Sequence, residues 1–156
     1  MATMMAFGMD YARQPIRVLL VEDDDADADG VRRALENAKV ETVVERVSDG
    51  IEALEFLRDE QFGAQPDEAL ILLVDINMPR LDGHGLVREI RKDPRLHRLV
   101  IFILTTSKSR DDIEQAYAGH VSGYIAKEKA GEDFIKLTSM LESFWRLVEL
   151  PSLQSA

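Results

Sequence analysis

Five short apolar runs, each followed by residues whose apolar positions recur at helical spacing, constrain this 156-residue chain more than any other feature. Arg17-Val-Leu-Leu-Val21, Leu70 to Asp75 and Leu99 to Leu104 are near-continuous leucine and β-branched segments, as expected of strands covered on both faces of a parallel sheet. Glu41 to Val47 alternates weakly around Val43, Val44 and Val47, and Val121 to Ala126 makes a short fifth strand. Between these runs the period changes. From Asp25 to Ala38 the residues Ala28, Val31, Ala34, Leu35 and Ala38 share a helix face, with Asp25 placed to cap it. Ser48-Asp49-Gly50 then breaks the pattern before Ile51, Ala53, Leu54 and Leu57 restore it, and a Pro79 to Gly83 turn leads into a helix carrying Leu86, Val87 and Ile90. A weaker helix runs from Asp111 to Ala118 through Ile113, Ala116 and Tyr117. The longest runs from Glu132 to Val148. Strict alternation with right-handed crossovers predicts a doubly wound (βα)5 α/β fold with a five-stranded parallel sheet.

The length fits one domain, and 46% hydrophobic with 31% charged residues is ordinary for a globular chain. Residues 1–15 carry no basic stretch ahead of an apolar block and read as a flexible N-terminal tail rather than a signal peptide. The expected organisation is a domain over 16–148, a C-terminal tail over 149–156 and no output domain. The absence of cysteine excludes disulfides and thiolate metal sites, so cytoplasmic localisation is the expectation. No apolar run approaches the ~20 residues of a membrane span. A formal net charge of −10 disfavours nucleic acid as a partner and leaves protein as the expected one.

In an open parallel sheet the ligand site lies beyond the carboxyl ends of the strands. Glu22 and Asp23 follow strand one, Asp75 ends strand three, Thr105 follows strand four and Lys127 follows strand five, so all converge on that edge. Carboxylates ~4 Å apart at an effective dielectric of ~20 repel by about 4 kcal/mol, and a cation relieves that repulsion. Hard oxygen ligands point to Mg²⁺, which takes one or two carboxylates, waters and a phosphate oxygen. Lys127 and the metal together could neutralise a phosphoryl group in transit while Asp75, at the centre, attacks it in line.

At these residues the chain strongly resembles the receiver domain of two-component response regulators. Val21-Glu22-Asp23-Asp24 looks like the first acidic pair, Asp75-Ile-Asn-Met-Pro-Arg-Leu-Asp-Gly83 the acceptor-aspartate motif, Leu104-Thr105-Thr106-Ser107 the conformational threonine segment, and Gly123-Tyr-Ile-Ala-Lys127 the aromatic-switch and lysine strand. The resemblance covers roughly residues 16–148 and implies the flavodoxin-like strand order 2-1-3-4-5. It further implies that a sensor kinase's phosphohistidine donates to Asp75, with Asp23, Asp75 and the Asn77 backbone carbonyl ligating Mg²⁺ and Glu22 assisting through water. Lys127 would then pair with the phosphate, Thr105 would move toward it, and Tyr124 would turn inward. The face of the fourth helix, fifth strand and fifth helix would carry the output.

The family usually has proline after the strand-five lysine, commonly as a cis bond, whereas Glu128 follows Lys127 here; a cis non-proline bond costs ~3 kcal/mol, which favours trans. The missing proline, Thr105-Thr-Ser107 and the closing Glu142-Ser-Phe-Trp145 resemble the single-domain regulators paired with bacterial and cyanobacterial phytochromes. The apolar surplus around Phe144 and Trp145 points to a homodimer interface, with simple core packing as its plain alternative. His84, His97 and His120 are scattered over a turn and loops and are expected at the solvated surface without a role. Two other readings stand beside the phosphoacceptor. One is an aspartyl-phosphate phosphatase of haloacid-dehalogenase type, disfavoured because Asn77 stands where a second acid is wanted. The other is a phosphorylation-independent scaffold, disfavoured by the intact acceptor set.

Overall fold

The computed structural model describes residues 15–39, 41–65, 68–151 and 153. The elements run β1 (Ile16–Val21), α1 (Asp25–Glu36), β2 (Thr42–Val47), α2 (Gly50–Arg58), β3 (Leu70–Val74), α3 (Gly83–Lys92), β4 (Val100–Thr105), α4 (Arg110–Ala118) and β5 (Gly123–Ala126). Two 3-10 turns, Lys127–Lys129 and Glu132–Phe134, precede α5 (Ile135–Leu147). The strands form one parallel sheet in the order β2-β1-β3-β4-β5, as the receiver-domain resemblance implied.

The central strand β3 is buried at every position, which is why its sequence is continuously apolar. Side-chain alternation sends Leu72 and Val74 to one face and Ile71 and Leu73 to the other. The first face packs on Leu57 of α2, Leu86 and Ile90 of α3 and Ala116 of α4. The second packs on Val31 and Leu35 of α1 and Leu137 and Leu141 of α5. Register aligns Val21 with Val74, Val74 with Ile103 and Thr105 with Ala126, so the strands end along one edge of the sheet. The residues that follow them, Glu22, Asp75 and Lys127, emerge side by side.

Helix boundaries differ from the sequence expectation in two instructive places. The cap of α1 is Asp24, whose side chain accepts from the Asp27 amide, and not Asp25. The last helix starts at Ile135 rather than Glu132, because Asp133 and Phe134 adopt left-handed backbone (φ 53° and 59°). Phe134 stays there because its ring packs on Gly30 of α1, where an added Cβ would lie 2.8 Å from the ring. The expected N-terminal tail falls, up to residue 14, outside the described residues. Beyond α5, Leu150 packs on the α1/α5 core and Leu153 is buried against the opposite one. Among the described residues no helix is long and apolar enough to cross a membrane.

Candidate functional site

Asp75 leaves β3 with its amide donating to the Val21 carbonyl at 3.0 Å, so sheet hydrogen bonding fixes its backbone. Its Oδ1 accepts from the Ile76 amide at 2.7 Å, and its Oδ2 lies 3.3 Å from Lys127 Nζ. The loop beyond it closes at Gly83, which donates to the Ile76 carbonyl at 2.8 Å; any side chain there would collide with the Asp75 carbonyl. Arg80, in left-handed backbone at φ 66°, reaches across to Asp49 with contacts of 2.8 and 3.1 Å and so ties this loop to the start of α2.

Glu22 leaves β1 only 1% exposed, its amide donating to Val47 and its carbonyl accepting from Arg46 Nε. Its Oε1 is 2.5 Å from Lys127 Nζ. Asp23 is exposed beside it. Glu22, Asp23 and Asp75 each offer an oxygen within 4.8 Å of the others, a convergence of hard donors suited to a divalent cation of the Mg²⁺ or Mn²⁺ kind. Burial pushes the Glu22 carboxyl up, to about 8, against the pull of Lys127 and with the push of Asp75. A cation among these oxygens would reverse that pressure. Burial works to lower the Lys127 ammonium, but contacts with Asp27 and Glu22 and the charge of Asp75 outweigh it and hold the group protonated.

Sequence reasoning missed Asp27 as a site residue. It lies in the first turn of α1 and pairs with Lys127 at 2.8 Å, on a helix whose start is read from sequence only for its cap. Asn77 is exposed in the loop two residues beyond Asp75. No peptide bond among the described residues is cis, so Lys127 and Glu128 are joined in trans; Glu128 instead pairs with Lys108 at 2.9 Å on the surface.

Thr105 ends β4 fully buried, and its Oγ1 accepts a long 3.4 Å bond from the Ser107 amide. Tyr124 is half-buried, with its hydroxyl donating to the Ser107 carbonyl at 2.8 Å. Phe144 and Trp145 are half-buried on the α1/α5 core, Phe144 meeting Phe102 edge-to-face at 5.2 Å, while Leu147 beside them is 85% exposed. His97 and His120 are exposed as expected, but His84 is not. It lies buried in the first turn of α3 with Nε2 2.9 Å from Asp112 Oδ1, because helix formation at Gly83 turns it against α4.

The sequence over residues 18–139 matches the response regulator receiver domain. The chain belongs to that family. Response regulator Rcp1 of Synechocystis sp. (strain ATCC 27184 / PCC 6803 / Kazusa) is 35% identical over 92% of this chain and 98% of its own length. A crystal structure of the Mn²⁺-bound form of Rcp1 matches with TM-score 0.76 and 33% identity over 88% of this chain and 100% of that one. The phosphorylated cyanobacterial phytochrome response regulator RcpA matches with TM-score 0.78 and 36% identity, covering 89% of this chain and 100% of its own. The probable methanogenesis regulatory protein FilR2 of Methanothrix harundinacea (strain 6Ac) is 34% identical over 90% of this chain and 94% of its own length. The protein is thus a response regulator receiver of two-component signalling, a signalling domain rather than a turnover enzyme, which decides against the phosphatase alternative.

Proposed function

We propose that this receiver accepts a phosphoryl group on Asp75 from the phosphohistidine of a sensor kinase of bacteriophytochrome type. The observation that carries the reading is the meeting of Asp75, Glu22, Asp23 and Lys127 at one sheet edge, four groups from three strand ends. An Asp75 carboxylate oxygen attacks phosphorus, the P–N bond to the donor imidazole breaks, and the imidazole keeps the electron pair and takes up a proton. Asp23, Asp75 and the Asn77 carbonyl would hold Mg²⁺, with Glu22 assisting through water; the ion would neutralise phosphoryl oxygens as charge develops. Lys127, screened by its acidic partners until then, pairs with the aspartyl phosphate. Thr105 moves toward the phosphate and Tyr124 occupies the space beneath the β4–α4 loop, which repacks the α4-β5-α5 face as output.

The bacteriophytochrome assignment rests on the likeness to RcpA and on the resemblance carried by Thr105-Thr-Ser107, Glu128 after Lys127 and Glu142-Ser-Phe-Trp145. We further infer a homodimer that uses the α5 surface around Phe144 and Trp145, a receiver domain spanning 16–148, and action in the cytoplasm. Phosphotransfer from a panel of autophosphorylated histidine kinases, bacteriophytochromes included, tests the reading. Fast labelling from a bacteriophytochrome, lost in Asp75→Asn, is the expected outcome.

A further inference from the structure

His84 and Asp112 belong to none of the machinery above, yet they close a ring of hydrogen bonds around the loop that carries Thr105. Asp112 is held below the usual carboxylate range by hydrogen bonds from Ser107 first and His84 second, so it is ionised and accepts on both oxygens. Its Oδ2 takes the Ser107 hydroxyl at 2.5 Å, and its Oδ1 faces His84 Nε2 at 2.9 Å, which fixes a hydrogen on that nitrogen. The Ser109 amide donates to Ser107 Oγ at 3.3 Å, and the Asp112 amide donates to Ser109 Oγ at 3.1 Å. The ring thereby joins the β4–α4 loop to the first turn of α4, and His84 anchors it to the first turn of α3. That turn directly follows the Asp75 loop, which closes through Gly83. The Ser107 carbonyl, whose residue the ring holds by its side chain, is the acceptor for the Tyr124 hydroxyl.

We propose that His84 and Asp112 are positioning residues, a clasp that holds the β4–α4 loop in the arrangement with Tyr124 turned inward and so prepares Thr105 and Ser107 to receive a phosphoryl group on Asp75. The proposal rests on the phosphoacceptor reading above. Its mechanism is a population shift: ligand affinity at Asp75 scales with the fraction of molecules whose loop is already competent, and the clasp raises that fraction. The Mg²⁺ ligands lie on other loops, so the clasp should not alter binding of the metal alone.

The test is calorimetric titration with Mg²⁺ alone and with beryllofluoride in saturating Mg²⁺, on wild type, His84→Leu and His84→Gln. Leucine removes the anchor to Asp112; glutamine can offer an amide nitrogen near the Nε2 position. The expected result is beryllofluoride binding weakened roughly tenfold in His84→Leu, the scale of one lost hydrogen bond to an ionised group, largely restored in His84→Gln, with Mg²⁺ affinity equal in all three. Equal or tighter beryllofluoride binding in His84→Leu, or no rescue by glutamine, overturns the clasp alone. Wild type that ignores beryllofluoride overturns the phosphoacceptor reading as well. A measurement on wild type covers the case in which the variants do not fold. By linkage, beryllofluoride must stabilise the clasp that favours it, so exchange of the Asp112 and Ser109 amides should slow on its addition. Unchanged or faster exchange overturns the proposal.

Discussion

Lys127 and Glu22 meet at 2.5 Å with side chains only 9% and 1% exposed, a buried cation among acids that reach it from the β1 and β3 ends and from α1. The pair places one positive charge where a divalent cation would also sit. Ammonium and a bound metal would therefore oppose each other for the same carboxylates, and under the proposed function phosphorylation would give each an oxygen of its own.

Lys127→Ala should consequently bind Mg²⁺ more tightly, by about tenfold, because a like charge a few ångströms from the metal is removed. The same variant should hold Mg²⁺-beryllofluoride more weakly than wild type. Paired titrations check both signs, and weaker Mg²⁺ binding would mean that Lys127 organises the carboxylates instead of competing for them.

Gly83→Ala should destabilise the fold by about 2–3 kcal/mol, since its Cβ meets the Asp75 carbonyl and lies 2.8 Å from Ile76 Cα, both backbone that cannot yield as a side chain does. The displaced loop also carries Asn77. Urea unfolding with Mg²⁺ titration should therefore register a loss in both stability and metal affinity.

Asp49 supplies an acid-sensitive element that is not itself among the proposed metal ligands. The hydrogen bond from Arg80 holds its carboxyl below the ordinary range, so the folded form binds a proton less readily than the unfolded chain. Its contribution is complete above the ordinary carboxylate value of about 4 and is lost as pH falls through the lower folded value. Asp49→Asn keeps the cap on the Glu52 amide and cannot ionise. Its urea midpoint should drop less than that of wild type between pH 6 and pH 3; an equal drop would show that the Arg80 pair contributes nothing.

The two roles open to the α5 surface separate cleanly. Phe144→Ala removes an edge-to-face contact with Phe102 and should lower monomer stability by at least ~1 kcal/mol. Leu147→Glu alters a side chain that is 85% exposed and should leave stability unchanged while dissociating the proposed homodimer in sedimentation velocity. A wild-type chain that sediments as a monomer at high concentration would remove the dimer from the account.

The sheet was legible because strands covered on both faces leave an unbroken apolar signature, and the acidic edge because its members terminate those strands. Sequence distance hid the rest. Nothing near Asp27 announces Lys127, which stands beyond four further strands, and nothing in Asp-Gly-His-Gly announces that Asp112 will face His84. Phe134 kept helical spacing in sequence yet left the helix, because Gly30 on another element makes room for its ring. Asp24 and Asp25 are equally good caps by type, and only the backbone turn after Asp23 selects between them.

The central claim is that Asp75 carries the phosphoryl group under the control of a metal held by its neighbours. Incubation with a phosphoryl donor and Mg²⁺, followed by borohydride trapping and peptide mass spectrometry, tests it directly. The account predicts homoserine at position 75, abolished when the metal is chelated. A label on another side chain, or trapping at Asp75 that is indifferent to chelation, would contradict it.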